Sequence, residues 1–576
     1  MSAVITEAES VPRGLPELQP EAGTRLLTRP ITGSAVEVTA SANDARPGLS
    51  FEVDLADAVG YWHPGPRSGR ALPPDWSGST VTSLVHGAPV GALYDADGEV
   101  LLGWAAAEGI AELSVQFGVS EEHKTFAVKI CPTRPLTRDL VLLVDTTHDN
   151  LAETVRRLGA WLSNRCAGAV LEPPAIARLP VYSTWYTFTQ DINDDLVTDE
   201  AALARELGCG SVFIDDGWQQ YAHGRGYQGC GDWLPDLAKF PNLTSTVKNL
   251  HDYDAAAALW IAPLLIGRHS QAFGTLADFA PHWEAALNCH VLDPRHPEVR
   301  AHVADICLRL ADNYDADLLK IDFLDRATAY AETAGGGDIA DVGEAMAAML
   351  GEVRTRLADA GHGDVVFEFR QPYVSPAIAR FGQILRANDC PADSVVNRTT
   401  SIDARLLSVG QIVHTDPMMW GIRGGVRAVA QQLYAGWFAV PQISMRLSDL
   451  PPEQLTALRG LLALWRQHSD VTLDGVLYLS GAERGYDLVS AVRADLDRSV
   501  IACYSPLVVD LDAHPTAETT VINATPTERL VLRTSRPIAD GVVRSANGTE
   551  VAPLTPATPG LIELAVPAYG STTIST

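Results

Sequence analysis

Leu318-Leu319-Lys320-Ile321-Asp322-Phe323 is a short apolar run with a lysine and an aspartate two positions apart. Side chains alternate along a strand, so Lys320 and Asp322 share a face. A strand buried on both faces does not carry such a pair without a reason. Seven comparable runs occur at residues 181–185, 211–215, 256–264, 365–369, 383–387, 411–414 and 440–445, with helical stretches between them. In the clearest helical stretch Val299, Val303, Ile306 and Leu310 fall on one face behind Pro297. In the last, Leu455, Leu458, Leu462 and Trp465 do the same behind Pro451-Pro452. Eight such units predict an α/β fold, a (β/α)8 TIM barrel over residues 171–470. The rival, a doubly wound open sheet, has a glycine-rich turn after its first strand, and none follows residues 181–185.

The texture changes on either side. Residues 1–20 are rich in Pro and Glu and read as a loose N-terminus. Over 21–170, short Val/Thr/Leu/Phe segments alternate with turns such as Asp95-Ala-Asp-Gly98, predicting an N-terminal β-sandwich that ends in a linker helix near 150–163. Strand texture returns over 471–576, where Asn547-Gly548 marks a hairpin, and predicts a small C-terminal β-sandwich.

Composition narrows the function. Apolar residues make up 46% and charged residues 20% of the 576, which excludes a mainly disordered, collagen-like or coiled-coil chain. With 43 Lys+Arg against 71 Asp+Glu, the net charge of −28 repels phosphate backbones and anionic membranes. Neither nucleic acid nor a membrane is expected as a partner. Residues 1–15 lack a signal-peptide pattern, and the longest apolar run, 255–267, is shorter than the roughly 20 residues of a membrane span. The eight cysteines are dispersed with no C-x-x-C, which suggests free thiols and a cytoplasmic protein. No H-x-H, H-E-x-x-H or G-x-S-x-G pattern occurs, so neither a metal nor another cofactor is expected. Gly335-Gly336-Gly337 lacks the Lys-Ser/Thr of a phosphate loop and is read as a flap or an idle linker.

Barrels gather their chemistry at the carboxyl ends of the strands. Those ends supply Trp185, Asp215-Asp216-Gly217-Trp218, Trp260, Lys320 and Asp322, Glu368 and Arg370, Arg386 and Asp389, and His414-Thr-Asp416. A cation beside Asp322 keeps it ionised, which suits a nucleophile. Asp389, two staves on, is the second acid, with Asp393 as its competitor; an acid pair with unequal protonation is what glycosidic cleavage requires. The plainer readings are a structural Lys–Asp pair for 320 and 322 and a turn cap for Asp389. Asp215 and Asp216 suit vicinal hydroxyls, and tryptophan suits the apolar face of a pyranose. His414 and Asp416 either bind a hydroxyl or close a turn.

With these pieces in place, the chain resembles the melibiase-type α-galactosidases of glycoside hydrolase family 36, kin to families 27 and 31. The matching segments are Ser183-Thr-Trp185-Tyr186, Ile214-Asp-Asp-Gly-Trp-Gln219, Gly231-Asp-Trp233 with Lys239-Phe-Pro241, Leu259-Trp-Ile-Ala-Pro263, Leu292-Asp-Pro294, Leu318–Phe323 and Arg386-Ala-Asn-Asp389 with Asn397-Arg398. The resemblance implies a retaining exo-α-glycosidase with Asp322 as nucleophile and Asp389 as acid/base. It assigns Asp215 and Asp216 to the 4- and 6-hydroxyls of galactose, and Lys320 and Arg386 to hydroxyl donation. Trp185, Trp218, Trp233, Trp260, Glu368 and Arg370 complete the expected oligosaccharide or glycoside site, and a homo-oligomer is left open. Glu368-Phe-Arg-Gln-Pro-Tyr373 departs from the Cys- and Gly-rich loop of many members, and Ala262 stands where many have Glu. The alternatives are a raffinose-synthase-like transglycosylase, an α-N-acetylgalactosaminidase, and a non-catalytic carbohydrate-binding protein.

Overall fold

The computed structural model describes residues 15–65, 69–333 and 336–576. All eight barrel runs form short parallel strands: β1 (Val181–Ser183), β2 (Ser211–Ile214), β3 (Ala256–Ile261), β4 (Leu318–Ile321), β5 (Val366–Arg370), β6 (Ile384–Arg386), β7 (Ile412–His414) and β8 (Gln442–Ile443). They pair in sequence order from β1 to β7, and β8 lies beside β1. A parallel bridge between His414 and Val440 closes the ring. The strands are shorter than the apolar runs because buried residues such as Leu264 and Val440 continue into the turns. Trp185, expected to end the first strand, instead opens a one-turn helix, Trp185–Phe188.

Helices wrap the ring as the periodicity requires. The helix α2 (Pro297–Tyr314) starts with Pro297 in its first turn and buries Val299, Val303, Ile306 and Leu310, following α1 (Leu151–Cys166) in the chain. Asp393 caps α3 (Ser394–Leu407), and α4 (Pro452–Asp474) buries Leu458, Leu462 and Trp465. Asn150 caps α1, its side chain accepting from the Ala152 amide.

Before the barrel, a five-stranded and a six-stranded sheet enclose Phe51, Trp104, Phe117, Phe126 and Val128. Of the loose N-terminus expected over 1–20, residues 1–14 lie outside the described residues. Glu17–Pro20 is instead an edge strand paired antiparallel with Leu49–Asp54. After the barrel, sheets of seven and three strands cover Val521, Leu532, Val566 and Ile574. Asn547-Gly548 lies in the hairpin between Asp540–Arg544 and Glu550–Pro553, with Gly548 at φ 80°.

One buried knot ties the three regions together. Asp403 on α3 accepts hydrogen bonds from the Trp62 indole at 3.0 Å and the Tyr486 hydroxyl at 2.5 Å, and pairs with Arg70. Arg70 and Trp62 come from the N-terminal sheets, and Tyr486 from the C-terminal ones. Replacing Asp403 by Asn leaves the Arg70 charge buried without its anion. We expect a loss of about 3–5 kcal/mol in denaturant unfolding; a change near zero would show that the knot does not hold the regions.

Candidate active site

β4 stops at Ile321, and the chain then turns through Phe323 in a left-handed conformation (φ 54°). This turn brings the Phe323 amide to 2.6 Å from Asp322 Oδ1. The Trp260 indole donates to Asp322 Oδ2 at 3.1 Å, and Arg370 forms an ion pair with Oδ1. Withdrawal from water would raise the Asp322 carboxyl, but Arg370, Lys320 and Arg386 outweigh it and hold the group at about 2. The lysine that suggested charge pairing contributes, yet the nearer cation is Arg370. Lys320 is bonded directly to Asp215 at 2.5 Å.

The Asp215-Asp216-Gly217-Trp218 turn depends on Gly217, at φ 131°, where a Cβ would meet the Gln190 backbone at 2.7 Å. Lys239 holds this turn through carbonyls of Gln190, Gly217 and Ala222 at 2.8–2.9 Å. Asp216 accepts from Gln190 at 2.8 Å and Gln219 at 2.7 Å. Burial raises its carboxyl to about 7 against those two bonds.

Asp389 lies three residues past Arg386, whose Nη2 donates to it at 2.9 Å. Its side chain is half-exposed. The surrounding protein would raise its carboxyl; Arg386, then Arg370, outweigh that and lower it. Asp393 is the helix cap, accepting from the Val396 amide at 3.0 Å.

Asp322 and Asp389 line one cavity together with Trp185, Asp215, Asp216, Tyr227, Trp260, Lys320, Phe323 and Arg386. Its volume is about 30 Å³, so a pyranose requires the lining side chains to part. Arg370 stands at its edge, against Asp322. Trp218, Trp233 and Glu368, expected to bind substrate, do not line it. Trp218 is fully buried and donates to the Trp260 carbonyl at 2.9 Å, while Trp233 packs on Trp260 with centroids 5.6 Å apart. Both support the Trp260 wall from behind, because the loop after β2 folds their rings inward. Glu368 points into the barrel, accepting from Gln442 at 2.6 Å and lying 3.0 Å from His414. Sequence reasoning missed Tyr227, which lies on an irregular loop without periodicity, and saw Phe323 only as the tail of the strand motif. Gly335 of the expected flap lies outside the described residues. Among the described residues no cluster of His, Cys, Asp and Glu could hold a metal ion, and no helix is long and apolar enough to cross a membrane.

The fold and site together define a (β/α)8 barrel, set between two β-sandwich regions, with paired carboxylates at the mouth. Residues 176–368 match the family model described as Melibiase, which bears out the resemblance read from the motifs. The chain is similar to α-galactosidase 2 of Pediococcus pentosaceus, 30% identical over 156 residues, and to α-galactosidase Mel36A of Lactobacillus acidophilus, 25% identical over 146. These alignments cover 26% and 24% of this chain, and only 22% and 20% of the relatives' own lengths. The crystal structure of the family 36 α-galactosidase AgaA from Geobacillus stearothermophilus superposes with TM-score 0.63 over 97% of this chain and 87% of that one, at 14% identity. That likeness establishes the fold.

Arg370→Gln removes the cation nearest Asp322. The carboxyl should then titrate about one to three units higher. Carbon NMR of labelled aspartate, with Asp322→Asn supplying the assignment, reads the shift. An unmoved titration would mean that Lys320 and Arg386 suffice.

Proposed function

We propose that the chain is a retaining exo-α-glycosidase of family 36, an α-galactosidase acting on terminal α-galactosides of oligosaccharides by double displacement. The observation that carries this reading is the cavity shared by Asp322, kept anionic at its base, and Asp389, half-exposed at its edge. Asp389 protonates the leaving oxygen while Asp322 bonds to the anomeric carbon. Water that has lost its proton to Asp389 then releases the sugar with its α configuration retained. Asp215 and Asp216 accept from the 4- and 6-hydroxyls, Lys320 and Arg386 donate, and Trp185 and Trp260 supply apolar surface. Asp389 rather than Asp393 takes the acid/base role, because the Asp393 carboxylate is engaged at the end of α3.

The named relatives are α-galactosidases, and variants of the Geobacillus stearothermophilus enzyme have been crystallised with stachyose and with raffinose. Those names support an oligosaccharide substrate here. The eight cysteines are free thiols, which supports a reducing, cytoplasmic setting.

A screen of aryl α-galactoside, α-glucoside, α-N-acetylgalactosaminide and β-L-arabinopyranoside, with NMR of the first-formed anomer, tests the reading. Galactoside should be turned over fastest, giving the α anomer first; the β anomer first would mean inversion. Asp322→Asn should abolish turnover. Asp389→Asn should lose about 10²–10⁴ of the rate on poor leaving groups and less on activated aryl groups. Equal losses on both would remove Asp389 from the acid role.

A further inference from the structure

Asp322 presents its two oxygens unequally. Among the described residues, Oδ1 accepts from the Phe323 amide at 2.6 Å and from Arg370 Nε, whereas Oδ2 accepts from the Trp260 indole at 3.1 Å and from nothing else. A carboxylate oxygen offers about two lone-pair directions. Both are taken on Oδ1, and one is left on Oδ2. The backbone is fixed as well, the Asp322 amide donating to the Ile261 carbonyl at 2.8 Å. A carbon entering the cavity therefore meets a free lone pair of Asp322 only on Oδ2.

Arg370, at the end of β5, is itself held from behind. Its Nη1 donates to the Gln371 carbonyl at 2.8 Å, and its Nη2 lies 3.4 Å from Asp325 Oδ1. The same Asp325 oxygen accepts from the Tyr373 hydroxyl at 2.9 Å, and that hydroxyl accepts from the Leu324 amide at 2.7 Å. The guanidinium carbon lies 5.3 Å from the centre of the Phe323 ring and 5.7 Å from that of Tyr373. The turn that carries Asp322 and the loop that carries Tyr373 thus close on one guanidinium, with its Nε aimed at Oδ1.

We propose that Arg370 is a positioning residue for the covalent step: it reserves Oδ1 of Asp322, so that Oδ2 bonds to the anomeric carbon, and it assists Asp322 as the leaving group when that bond breaks. The inference rests on the reading of Asp322 as the nucleophile.

In the first half-reaction Oδ2 bonds to C1 with its free lone pair. The glycosidic oxygen leaves with the electrons of its own bond to C1 and takes a proton from Asp389. Oδ1 is then the carbonyl oxygen of a neutral ester, and its attraction to Arg370 is weaker. In the second half-reaction water bonds to C1 and loses a proton to Asp389, while the C1–Oδ2 electrons return to the carboxylate. The charge that reappears spreads onto Oδ1, where Arg370 and the Phe323 amide already stand. Arg370 keeps its protons throughout. A cation so placed acts with opposite sign on the two halves: it steadies the free carboxylate and restrains its attack, and it steadies the departing carboxylate and speeds its release.

The test is the kinetics of Arg370→Gln on dinitrophenyl α-galactoside, whose leaving group needs no proton, so that release of the sugar is the slow step. Without the cation Asp322 is the poorer leaving group. If about half of a change of one to three units in its basicity is felt in the transition state, kcat falls about 3- to 30-fold. KM should fall with it, leaving kcat/KM within about threefold of the parent or above it, because the first half-reaction is not slowed. Rapid mixing should show a burst of dinitrophenol close to the enzyme concentration. Intact-protein mass spectrometry at saturating substrate should find most of the variant as its galactosyl adduct. Arg370→Lys, which keeps the charge but not the planar fork, should show the same split at smaller size. A fall in kcat/KM with KM unchanged or raised, and with neither burst nor adduct, in whichever variant folds, would overturn the inference while leaving the nucleophile reading intact. A parent chain that turns over no α-galactoside, or does so with inversion, would overturn both.

Discussion

The site depends on keeping one aspartate anionic where water is almost absent. Asp322 is 7% exposed, and burial alone favours its neutral form. Three cations reverse that preference, each on a different strand: Lys320 on β4, Arg370 on β5 and Arg386 on β6. The parallel register fixes their spacing, since Lys320 pairs with Glu368 and Arg370 with Arg386 across neighbouring strands. Closing the barrel and charging the proposed nucleophile are therefore one requirement. A slipped strand would turn a cation out of the cavity and leave the anion without compensation.

The same cations serve a second purpose. Lys320 bonds to Asp215, and Arg386 bonds to both Asp389 and Asp416. Each positive group is shared between acids, so no acid monopolises a cation. Sharing is what lets carboxylates a few side chains apart differ in protonation, with Asp322 held near 2 and Asp216 and Asp416 near 7. The proposed cleavage of a glycosidic bond needs such unequal acids, and here the inequality comes from burial and from how the arginines and lysine are divided.

Much of this was legible in the sequence. The eight apolar runs correspond one for one with the barrel strands, because a doubly buried parallel strand is apolar almost throughout. Lys320, Asp322 and the Asp215-Asp216 pair stand out as charges at the ends of such runs. Depth and direction were not legible. Trp218 and Trp233 carry the same local signal as Trp185, yet only Trp185 lines the cavity, because the folding of the loop after β2 decides which way a ring faces. Glu368 and Arg370 share a strand face but differ in height, and only the upper one reaches Asp322. Tyr227 lies in a loop with no periodicity to read, and Asp416 was seen as a strand-end acid without its link through Arg386.

The account is tested most directly by trapping the covalent intermediate. A fluorinated α-galactosyl fluoride that forms the glycosyl-enzyme faster than it is released should label one peptide, which tandem mass spectrometry can locate. The account predicts a single galactosyl adduct on Asp322, slowly lost in water and absent from Asp322→Asn. An adduct on another carboxylate, or hydrolysis of the fluoride without any adduct and with the β anomer as first product, would contradict it.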